Sequence, residues 1–425
     1  MLACRISLTC CNEEMHTGTS DTAINRYKTT LAMFLFIAVA AICLLWPTST
    51  LRGVLMQHDA SVRVAGTDVV ENTSASIIDI VLRSYNASKN SHATADFLLT
   101  MPDGPKTNKT GRYVSMCQRN FDSRRVGNQL FNLAAMLHVA RLTGRRVAMV
   151  RHHPYGWLDR WFHVSLTRVK STATELCPCV NVQERTGLAY STDILTLSKR
   201  VDITGKSLLI CGYFQSWKYT VGVESALRYH LQLLPNVSAA VQKYLNQTRP
   251  STWKDIHFRR IGIHVRVGDV MRRDKWRVGY TVPQRPYFEQ AMAWFVNQQR
   301  RQQKGQPVRV QFVVASESQD WVKVAINLSS IAYQLSRTLS DVVVDVKHSE
   351  GHDAGFDLAL LSACDGVIIS TGSYGWWSAW LANKTTIYYS NWPRAGSLLA
   401  KQFARGDYFP PNWIPLDGPA FPCCQ

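Results

Sequence analysis

The chain has 425 residues, of which 46% are hydrophobic and 18% are charged, and its formal net charge is +18 at pH 7. This length can bury a large core and allows two or three domains. A positive charge of this size usually matches nucleic acid, an anionic membrane or an anionic ligand. We expect no nucleic-acid partner, because the sequence has no zinc-finger spacing, helix-turn-helix signature or RNP-like aromatic motif.

An apolar segment near the N-terminus, Leu31 to Trp46, runs for sixteen residues without a charge. With its neighbours it reaches about the lower limit of a membrane-spanning helix, ~17 residues. A cleaved signal peptide would need an unusually long polar leader, and a buried core helix would need a polar face. We therefore expect an uncleaved signal anchor over 29–47 that follows a cytoplasmic tail over 1–28. The basic residues Arg26 and Lys28 favour a cytosolic N-terminus.

Residues 48–112 have the composition of a lumenal stem, since they lack cysteine and tryptophan and are rich in Ser, Thr, Asn and Ala. All seven Asn-x-Ser/Thr sequons follow the apolar segment, as a lumenal C-terminal portion requires. The last of them falls in a predicted helix and is the least favourable for glycosylation. The sequons are at Asn72, Asn86, Asn108, Asn236, Asn246, Asn327 and Asn383.

Seven of the eleven cysteines follow the apolar segment. The pairs Cys177/Cys179 and Cys423/Cys424 are too close together for ordinary zinc pairs, and we expect no metal site. In an oxidising lumen some of the seven would be bridged. Because seven is odd, at least one is free or pairs between chains, and the sequence leaves the connectivity open.

From Tyr113 onward, short apolar strands alternate with amphipathic helices, which predicts an α/β fold with parallel sheets. Two such runs, joined near residues 249–254, predict two Rossmann-like lobes that face a cleft, over 113–255 and 256–395. The tail over 396–425 is expected to pack back as coil. The predicted strands are 113–118, 147–150, 207–211, 261–265, 308–315, 341–346, 366–369 and 386–389. The predicted helices are 129–142, 226–244 with a break near Pro235, 285–300, 319–325, 356–363 and 375–382.

The stretch from Ile261 to Asp274, IGIHVRVGDVMRRD, is the first candidate for a binding site. It reads as a buried strand followed by a sharp turn, and ligands of open α/β sheets lie beyond the carboxyl ends of the strands. The guanidinium of Arg266 presents a planar fork of donors that suits phosphate. Solvated arginines at a strand edge are the alternative, and spacing alone does not separate the two.

Four stretches stand out along the chain: Arg125 to Gln129, Cys211 to Trp217, His264 to Asp269, and Asp357 to Leu361 with Ser370 to Trp377. In this order they resemble motifs of α1,2-fucosyltransferases, and related motifs occur in α1,6- and protein O-fucosyltransferases. The resemblance covers roughly residues 113 to 395. Val267 stands in place of the second arginine of the H-V-R-R-G-D motif. Arg124 stands in place of the first glycine of the G-R-x-G-N-Q motif. The matches are His264 to Asp269 with H-V-R-R-G-D, Arg125 to Gln129 with G-R-x-G-N-Q, Cys211 to Trp217 with GY(L/F)QS, and Asp357 to Leu361 plus Ser370 to Trp377 with D-F-A-L-L…T-G-(T/S)-(F/Y)-G-(F/W)-W.

This resemblance implies a GT-B-like Golgi enzyme, a single-pass type II membrane protein with a lumenal catalytic domain. It would move L-fucose from GDP-fucose to the 2-hydroxyl of a terminal galactose, or a similar sugar, on a glycan acceptor, with inversion. Another linkage, a protein acceptor, or a glycan-binding protein that has lost catalysis are the alternatives. The chain contains no Asp-x-Asp pair. We therefore expect no metal, and cationic side chains and helix N-termini would stabilise the departing diphosphate.

The resemblance also implies donor-binding roles, each with a plainer alternative. Arg266 would contact the diphosphate, with Arg272 or Arg273 compensating for Val267. His264 would orient the nucleotide or satisfy a backbone group. Asp357 would read the guanine edge or stabilise a helix dipole.

Thr371 and Ser373 would contact phosphate at a helix N-terminus, or Ser373 would only cap that helix. Arg125 and Asn128 would line the fucose and acceptor side, or Asn128 would only stabilise its loop. Asp269 is our candidate catalytic carboxylate, although it could equally pair with an arginine for structure. Trp376 and Trp377 are expected in the core. The other candidate carboxylates for a general base are Glu317, Glu350 and Asp353.

Overall fold

The computed structural model describes residues 113–117, 125–150, 156–169, 176–254, 256–303 and 305–422. These residues all fall within one compact unit of the chain. None of the helices in these ranges is long and apolar enough to cross a membrane. The predicted tail, anchor and stem over 1–112 lie outside the described residues, as do the sequons at Asn72, Asn86 and Asn108 and the cysteines Cys423 and Cys424.

The first lobe is built on a five-stranded sheet in the order β3-β2-β1-β5-β4, with every neighbouring pair parallel. Its centre pairs β1 with β5, and a disulfide between Cys117 and Cys211 joins the ends of these two strands, with the Cα atoms 5.2 Å apart. The strands are β1 Tyr113–Met116, β2 Arg146–Val150, β3 Thr167–Val169, β4 Cys179–Gln183 and β5 Ser207–Cys211.

The second lobe is built on a six-stranded parallel sheet in the order β11-β10-β9-β6-β7-β8. Its central strands are almost wholly apolar, as expected for a parallel sheet covered on both faces. The strands are β6 Arg259–His264, β7 Val308–Ala315, β8 Val342–His348, β9 Gly366–Ile369, β10 Thr385–Tyr389 and β11 Ile414–Leu416. The α/β class with parallel sheets is therefore confirmed.

Helices connect and cover the strands of both sheets. The long helix α1 ends at Gly144, whose φ of 61° is readily adopted by glycine. The α-helices are α1 Val126–Thr143, α2 Gly156–Trp161, α3 Glu224–His230, α4 Pro235–Gln247, α5 Arg273–Val278, α6 Arg285–Gln303, α7 Gln319–Trp321, α8 Leu328–Thr338, α9 Ala354–Ser362, α10 Ser373–Ala382, α11 Leu398–Lys401 and α12 Arg405–Tyr408. The 3-10 turns are Thr192–Lys199, Val201–Ile203, Trp217–Thr220, Ser251–Trp253 and Gly268–Met271, and Val322–Ile326 is a π turn.

The sequence missed three strands and five α-helices, of which α2, α5, α11 and α12 are only four to six residues long. β3, β4 and β11 are edge strands of three to five residues, and they carry polar residues or, in β11, Pro415. α8 follows a π turn that interrupts the helical period just before it. The prediction of a coil tail was wrong over 414–416, where β11 pairs with β10 and completes the second sheet, and over the two short helices α11 and α12.

The two lobes meet through an apolar seam between α1 and α10. Phe131 of α1 packs against Trp376 with ring centroids 4.5 Å apart, and both Trp376 and Trp377 are fully buried, as predicted. Gly127 lies so close to α10 that a Cβ atom there would come within 2.7 Å of the Ser373 carbonyl carbon. The C-terminal segment also packs on the first lobe, where Asp407 pairs with Lys218 at 2.5 Å.

Candidate functional site

A cleft of about 1160 Å³ lies beyond the carboxyl ends of the second-lobe strands and is lined by residues of both lobes. All the sequence-predicted donor, acceptor and catalytic residues line it. The fold therefore brings these residues together from distant parts of the chain. Their individual roles remain predictions. These residues are Arg125, Asn128, His264, Arg266, Asp269, Asp357, Thr371 and Ser373.

Arg266 lies at the centre of the cleft, immediately after β6, and is held between two carboxylates. Its guanidinium donates to Asp269 and to Glu317. Its backbone N–H donates to the Ser370 hydroxyl at 2.8 Å, which ties the turn to the end of β9. Two carboxylates occupy only part of the five N–H donors of a guanidinium, so Arg266 keeps donors for a ligand.

Asp269 is shared between the lobes, because its second oxygen also pairs with Arg125 of the first lobe at 3.5 Å. The structural role weighed for Asp269 is therefore present in the geometry, and a catalytic role stays a prediction. With Glu317 this makes a cluster of two arginines and two carboxylates whose formal charges cancel. The +18 of the chain is not concentrated at the centre of the cleft.

Asn128 connects the lobes on the other side of the cleft. Its side-chain oxygen accepts hydrogen bonds from Gln215 Nε2 at 2.7 Å and from Ser373 Oγ at 2.8 Å. Ser373 is the first residue of α10 and not its N-cap, because Gly372 occupies the cap position with a φ of 91°. The prediction that Ser373 could cap the helix was wrong. The nearby Thr371 hydroxyl donates to the Thr281 carbonyl oxygen at 3.4 Å.

His264 is the last residue of β6 and is 3% exposed. Its Nδ1 is buried and has no hydrogen-bond partner in the described part of the chain, and its ring lies 5.2 Å from that of Tyr374. Burial, together with the nearby Arg266 charge, lowers the pKa of His264 from 6.5 to about 3. The imidazole is therefore neutral at physiological pH and does not act there as a proton-holding acid.

Asp357 lies in the first turn of α9, whose N-cap is Asp353. The helix begins two residues earlier than predicted. Burial raises the pKa of Asp357 from 3.8 to about 7, against the opposing hydrogen bond that its carboxylate accepts from the Ser349 hydroxyl, and Asp353 adds to the rise. This carboxyl changes charge near neutral pH, as a group in a ligand site often does.

The other candidate carboxylates for a base have structural partners. Glu317 accepts from Arg266 and, at 3.1 Å, from the backbone N–H of Val267. Glu350 pairs with Lys323 at 2.6 Å. The Asp353 carboxylate accepts from the Phe356 N–H at 2.9 Å as a helix cap. Of these three residues, Glu317 and Glu350 line the cleft and Asp353 does not.

Val267 has its side chain in the apolar core, at 3% exposure, and does not line the cleft. The cations proposed to compensate for it lie elsewhere, because Arg272 is largely exposed and pairs with Asp274 at 3.0 Å, and neither Arg272 nor Arg273 lines the cleft. Lys275, for which the sequence predicted no role, does line it. The compensation predicted for Arg272 and Arg273 is therefore not supported.

The lining differs on the two sides of Arg266. In the order of the second sheet, β7 and β8 lie on one side of β6, and β9 and β10 lie on the other. The lining after β7 and β8, which we call the polar end, consists mostly of polar groups. The lining on the β10 side, with the adjoining residues of the first lobe, is mostly apolar. We call it the apolar end. The polar end comprises Ser316 to Trp321, Ser349 to His352, Ala354 and Asp357. The apolar end comprises Gly187, Leu188, Tyr213, Val270, Val278, Tyr280, Trp392 and Leu399, with Lys275 and Gln402 as its charged and amide members.

Sequence reasoning missed the residues of the apolar end and the lining residue Gln215. Tyr213 and Gln215 lie within one of the four matching motifs, which was the one available signal, but no role was predicted for them. Tyr280 and Trp392 carried no local signal, because they are brought together only by the fold, with ring centroids 6.4 Å apart. Within the described ranges, no group of three or more His, Cys, Asp or Glu side chains has the arrangement of a metal site.

The model of glycosyl transferase family 11 matches residues 108–417 of this chain. The chain belongs to glycosyl transferase family 11. The match includes both sheets and all the cleft residues named above, so the cleft is the candidate active site of a family 11 glycosyl transferase.

Named relatives agree with this membership. The chain is 28% identical to galactoside alpha-(1,2)-fucosyltransferase 2 of Sus scrofa over 70% of this chain and 79% of the relative. It is 28% identical to the Bos taurus protein of the same name over 68% of this chain and 76% of the relative. It is 26% identical to galactoside alpha-(1,2)-fucosyltransferase 1 of Homo sapiens over 71% and 75%.

Two solved structures have a weaker likeness in three dimensions. A crystal structure of POFUT1 in complex with GDP superimposes with a TM-score of 0.39 and 10% identity, over 66% of this chain and 99% of that chain. A glycosyl transferase family 9 protein from Veillonella parvula gives a TM-score of 0.36 and 10% identity, over 72% and 86%.

Proposed function

We propose that this family 11 enzyme transfers L-fucose from GDP-fucose to the 2-hydroxyl of a terminal galactose on a glycan. The chain aligns over about 70% of its length with relatives named galactoside alpha-(1,2)-fucosyltransferase. The observation that carries the proposal is the composition of one cleft, in which Arg266, the N-terminus of α10 and the buried carboxyl of Asp357 face the same space. These are groups suited to a diphosphate and to a guanine base.

The donor would lie along the carboxyl ends of the second-lobe strands, as ligands of α/β sheets do. Asp357, when ionised, accepts from the N1–H and amino group of guanine at the polar end. Arg266 and the unpaired N–H groups at the start of α10 donate to the diphosphate. Two lobes facing a cleft in this way form a GT-B-like arrangement, which supports the proposal.

The reaction is a single displacement with inversion. The bond between fucose C1 and the diphosphate oxygen breaks, its electron pair leaves with GDP, and the bond between galactose O2 and C1 forms. The proton of O2 passes to a base, and Asp269 is proposed for this role because it contacts Arg266 of the second lobe and Arg125 of the first. Preorganised donors, chiefly Arg266, stabilise the departing GDP.

No metal takes part in this proposal, because Arg266 and helix N–H groups supply the hydrogen-bond donors toward GDP. We also place the enzyme in the Golgi membrane as a single-pass type II protein with the catalytic lobes in the lumen. The uncharged run from Leu31 to Trp46 supports an anchor. The Cys117–Cys211 disulfide supports an oxidising compartment. Exposed sequon residues at Asn236, Asn246, Asn327 and Asn383 are available for glycosylation, with Asn383 at the C-cap of α10.

The test is GDP release by the purified full-length chain, given GDP-fucose with and without a β-galactoside, in EDTA. Galactoside-dependent release in chelator is expected, and product analysis then gives the linkage. Release that requires added Mg²⁺ or Mn²⁺ contradicts the metal-free mechanism. Binding of a β-galactoside without release of GDP on any acceptor contradicts the transferase proposal and favours the glycan-binding alternative.

A further inference from the structure

We infer that the apolar end of the cleft binds the acceptor sugar, and that the half-exposed ring of Tyr213 packs against the apolar face of a terminal galactopyranose. This inference rests on the proposed function and adds which surface selects the acceptor. A pyranose presents C–H groups on one face and hydroxyls at its rim, so an aromatic platform beside polar groups suits it.

Tyr213 has the exposure and support expected of such a platform. Its residue is 47% exposed although it lines a cleft. Its ring lies over Gly187, where a Cβ atom would come within 3.3 Å of Tyr213 Cδ2. Because Gly187 has no side chain, its backbone lies directly against the Tyr213 ring and supports it.

The loop that carries Tyr213 is held from below by a buried carboxylate. Glu184, which directly follows β4, is 7% exposed and accepts hydrogen bonds from the backbone N–H groups of Tyr213 and Phe214, the latter at 2.8 Å. Phe214 has a φ of 52°, an unusual conformation for a side chain without a local polar group, and this carboxylate stabilises it. Glu184 is therefore a positioning residue for Tyr213.

The rest of the apolar end continues from Tyr213 toward the reacting centre. Tyr280 is close enough to Tyr213, Arg266 and Asp269 for each of them to affect its pKa, which burial raises above its usual value. Its phenol therefore stays protonated and can donate to a sugar hydroxyl. Trp392 lies beside Tyr280, and its indole Nε1 is buried without a partner in the described part of the chain. An acceptor seated on Tyr213 would thus place a hydroxyl near Asp269.

The test compares Tyr213→Ala and Tyr213→Trp in the full-length chain, with lactose as the acceptor. Loss of the platform is expected to raise the KM for lactose about tenfold, with the KM for GDP-fucose and the Kd for GDP unchanged. Tyr213→Trp should restore most of the lactose affinity. The matched control is Tyr229→Ala, a first-lobe tyrosine that is 39% exposed and does not line the cleft.

An unchanged KM for lactose in Tyr213→Ala overturns the inference, and so does a parallel rise in both KM values, which indicates only a disturbed loop. If wild-type protein transfers no fucose, the proposed function fails. The inference is then decided by calorimetric titration of lactose into the GDP-bound protein. Weaker binding by Tyr213→Ala than by Tyr229→Ala supports it, and equal binding contradicts it.

Discussion

The two ends of the cleft are built in different ways. The polar end is assembled from residues that directly follow β7 and β8 of one sheet, so each lies a few positions beyond a recognisable strand. The apolar end combines Leu188 and Tyr213 of the first lobe with Tyr280 and Trp392 of the second. The former is a local property of strand ends, whereas the latter exists only after two lobes and the C-terminal segment have packed.

Arg266 lies between the two ends, so its loss should affect both substrates through the transition state. Arg266→Ala is expected to lower kcat by about 10²–10³-fold, because it removes a preorganised donor to the departing diphosphate. Asp269 and Glu317 are each about one-third exposed and can be solvated when they lose this partner, so the protein should stay folded. Steady-state kinetics together with a thermal melt provide the measurement.

The control for Arg266 is Arg272→Ala, which removes an exposed arginine of the same segment that pairs with Asp274. We expect near-normal kcat in this variant. If Arg266→Ala also retains near-normal activity, Arg266 is not the diphosphate ligand. Equal losses in both variants would mean that the segment contributes only general positive charge.

Asp357 tests the polar end alone through its pH dependence. Because its pKa in the folded protein is about 7, the carboxyl is mostly neutral at pH 6 and mostly ionised at pH 8. The ionised form accepts from guanine, so the KM for GDP-fucose should fall roughly tenfold between these pH values. Asp357→Asn should remove this dependence and raise the KM on the order of 10–100-fold. The KM for lactose should not change.

The burial of this carboxyl also predicts how the stability of the folded protein changes with pH. Its pKa is raised on folding from 3.8 to about 7, so the stability that the neutral form contributes is complete below pH 3.8 and is lost as pH rises through 7. Asp357→Asn should therefore raise the Tm at pH 8. Asp341→Asn, which changes a partly exposed carboxylate paired with Arg300, is the control in the pH 6 to 8 window. A lower Tm for Asp357→Asn at pH 8 contradicts this account.

The sequence was sufficient for the α/β class, for eight of the eleven strands that the structure describes and for the polar-end carboxylates Glu317, Glu350 and Asp357, since apolar strands and glycine turns are local signals. The sequence pointed to Arg266 at the end of such a strand, and to Asp357 and Asn128 through motif resemblance. It was insufficient where partners are distant in sequence. The pairing of Asp269 with Arg125 spans 144 residues, and the contact between Ser373 and Asn128 spans 245. Val267 shows the opposite failure, because a motif position was read as lining a site when its side chain is buried in the core.

Glu184→Gln tests whether the apolar end depends on its supporting loop. The amide keeps the size of the side chain but places an NH₂ group where the carboxylate accepted from the Tyr213 and Phe214 N–H groups. The KM for lactose should rise about tenfold. In the Tyr213→Ala background the same change should add little, because the two residues act through one surface. Fully additive effects in this double-mutant cycle would show that Glu184 does not position Tyr213.

Tyr280→Phe should have the smallest effect and is the finest test of where the two ends meet. The change removes only the phenol hydroxyl and leaves the ring against Trp392, so packing is preserved. Loss of one neutral hydrogen bond to the acceptor should lower kcat/KM for lactose about two- to tenfold. Deoxygenated galactosides sharpen the result. With the galactoside that lacks the hydroxyl facing Tyr280, wild type and Tyr280→Phe should have the same kcat/KM. If the ratio of kcat/KM between wild type and Tyr280→Phe is the same for every reactive deoxygenated galactoside as for lactose, the Tyr280 hydroxyl contacts no part of the acceptor.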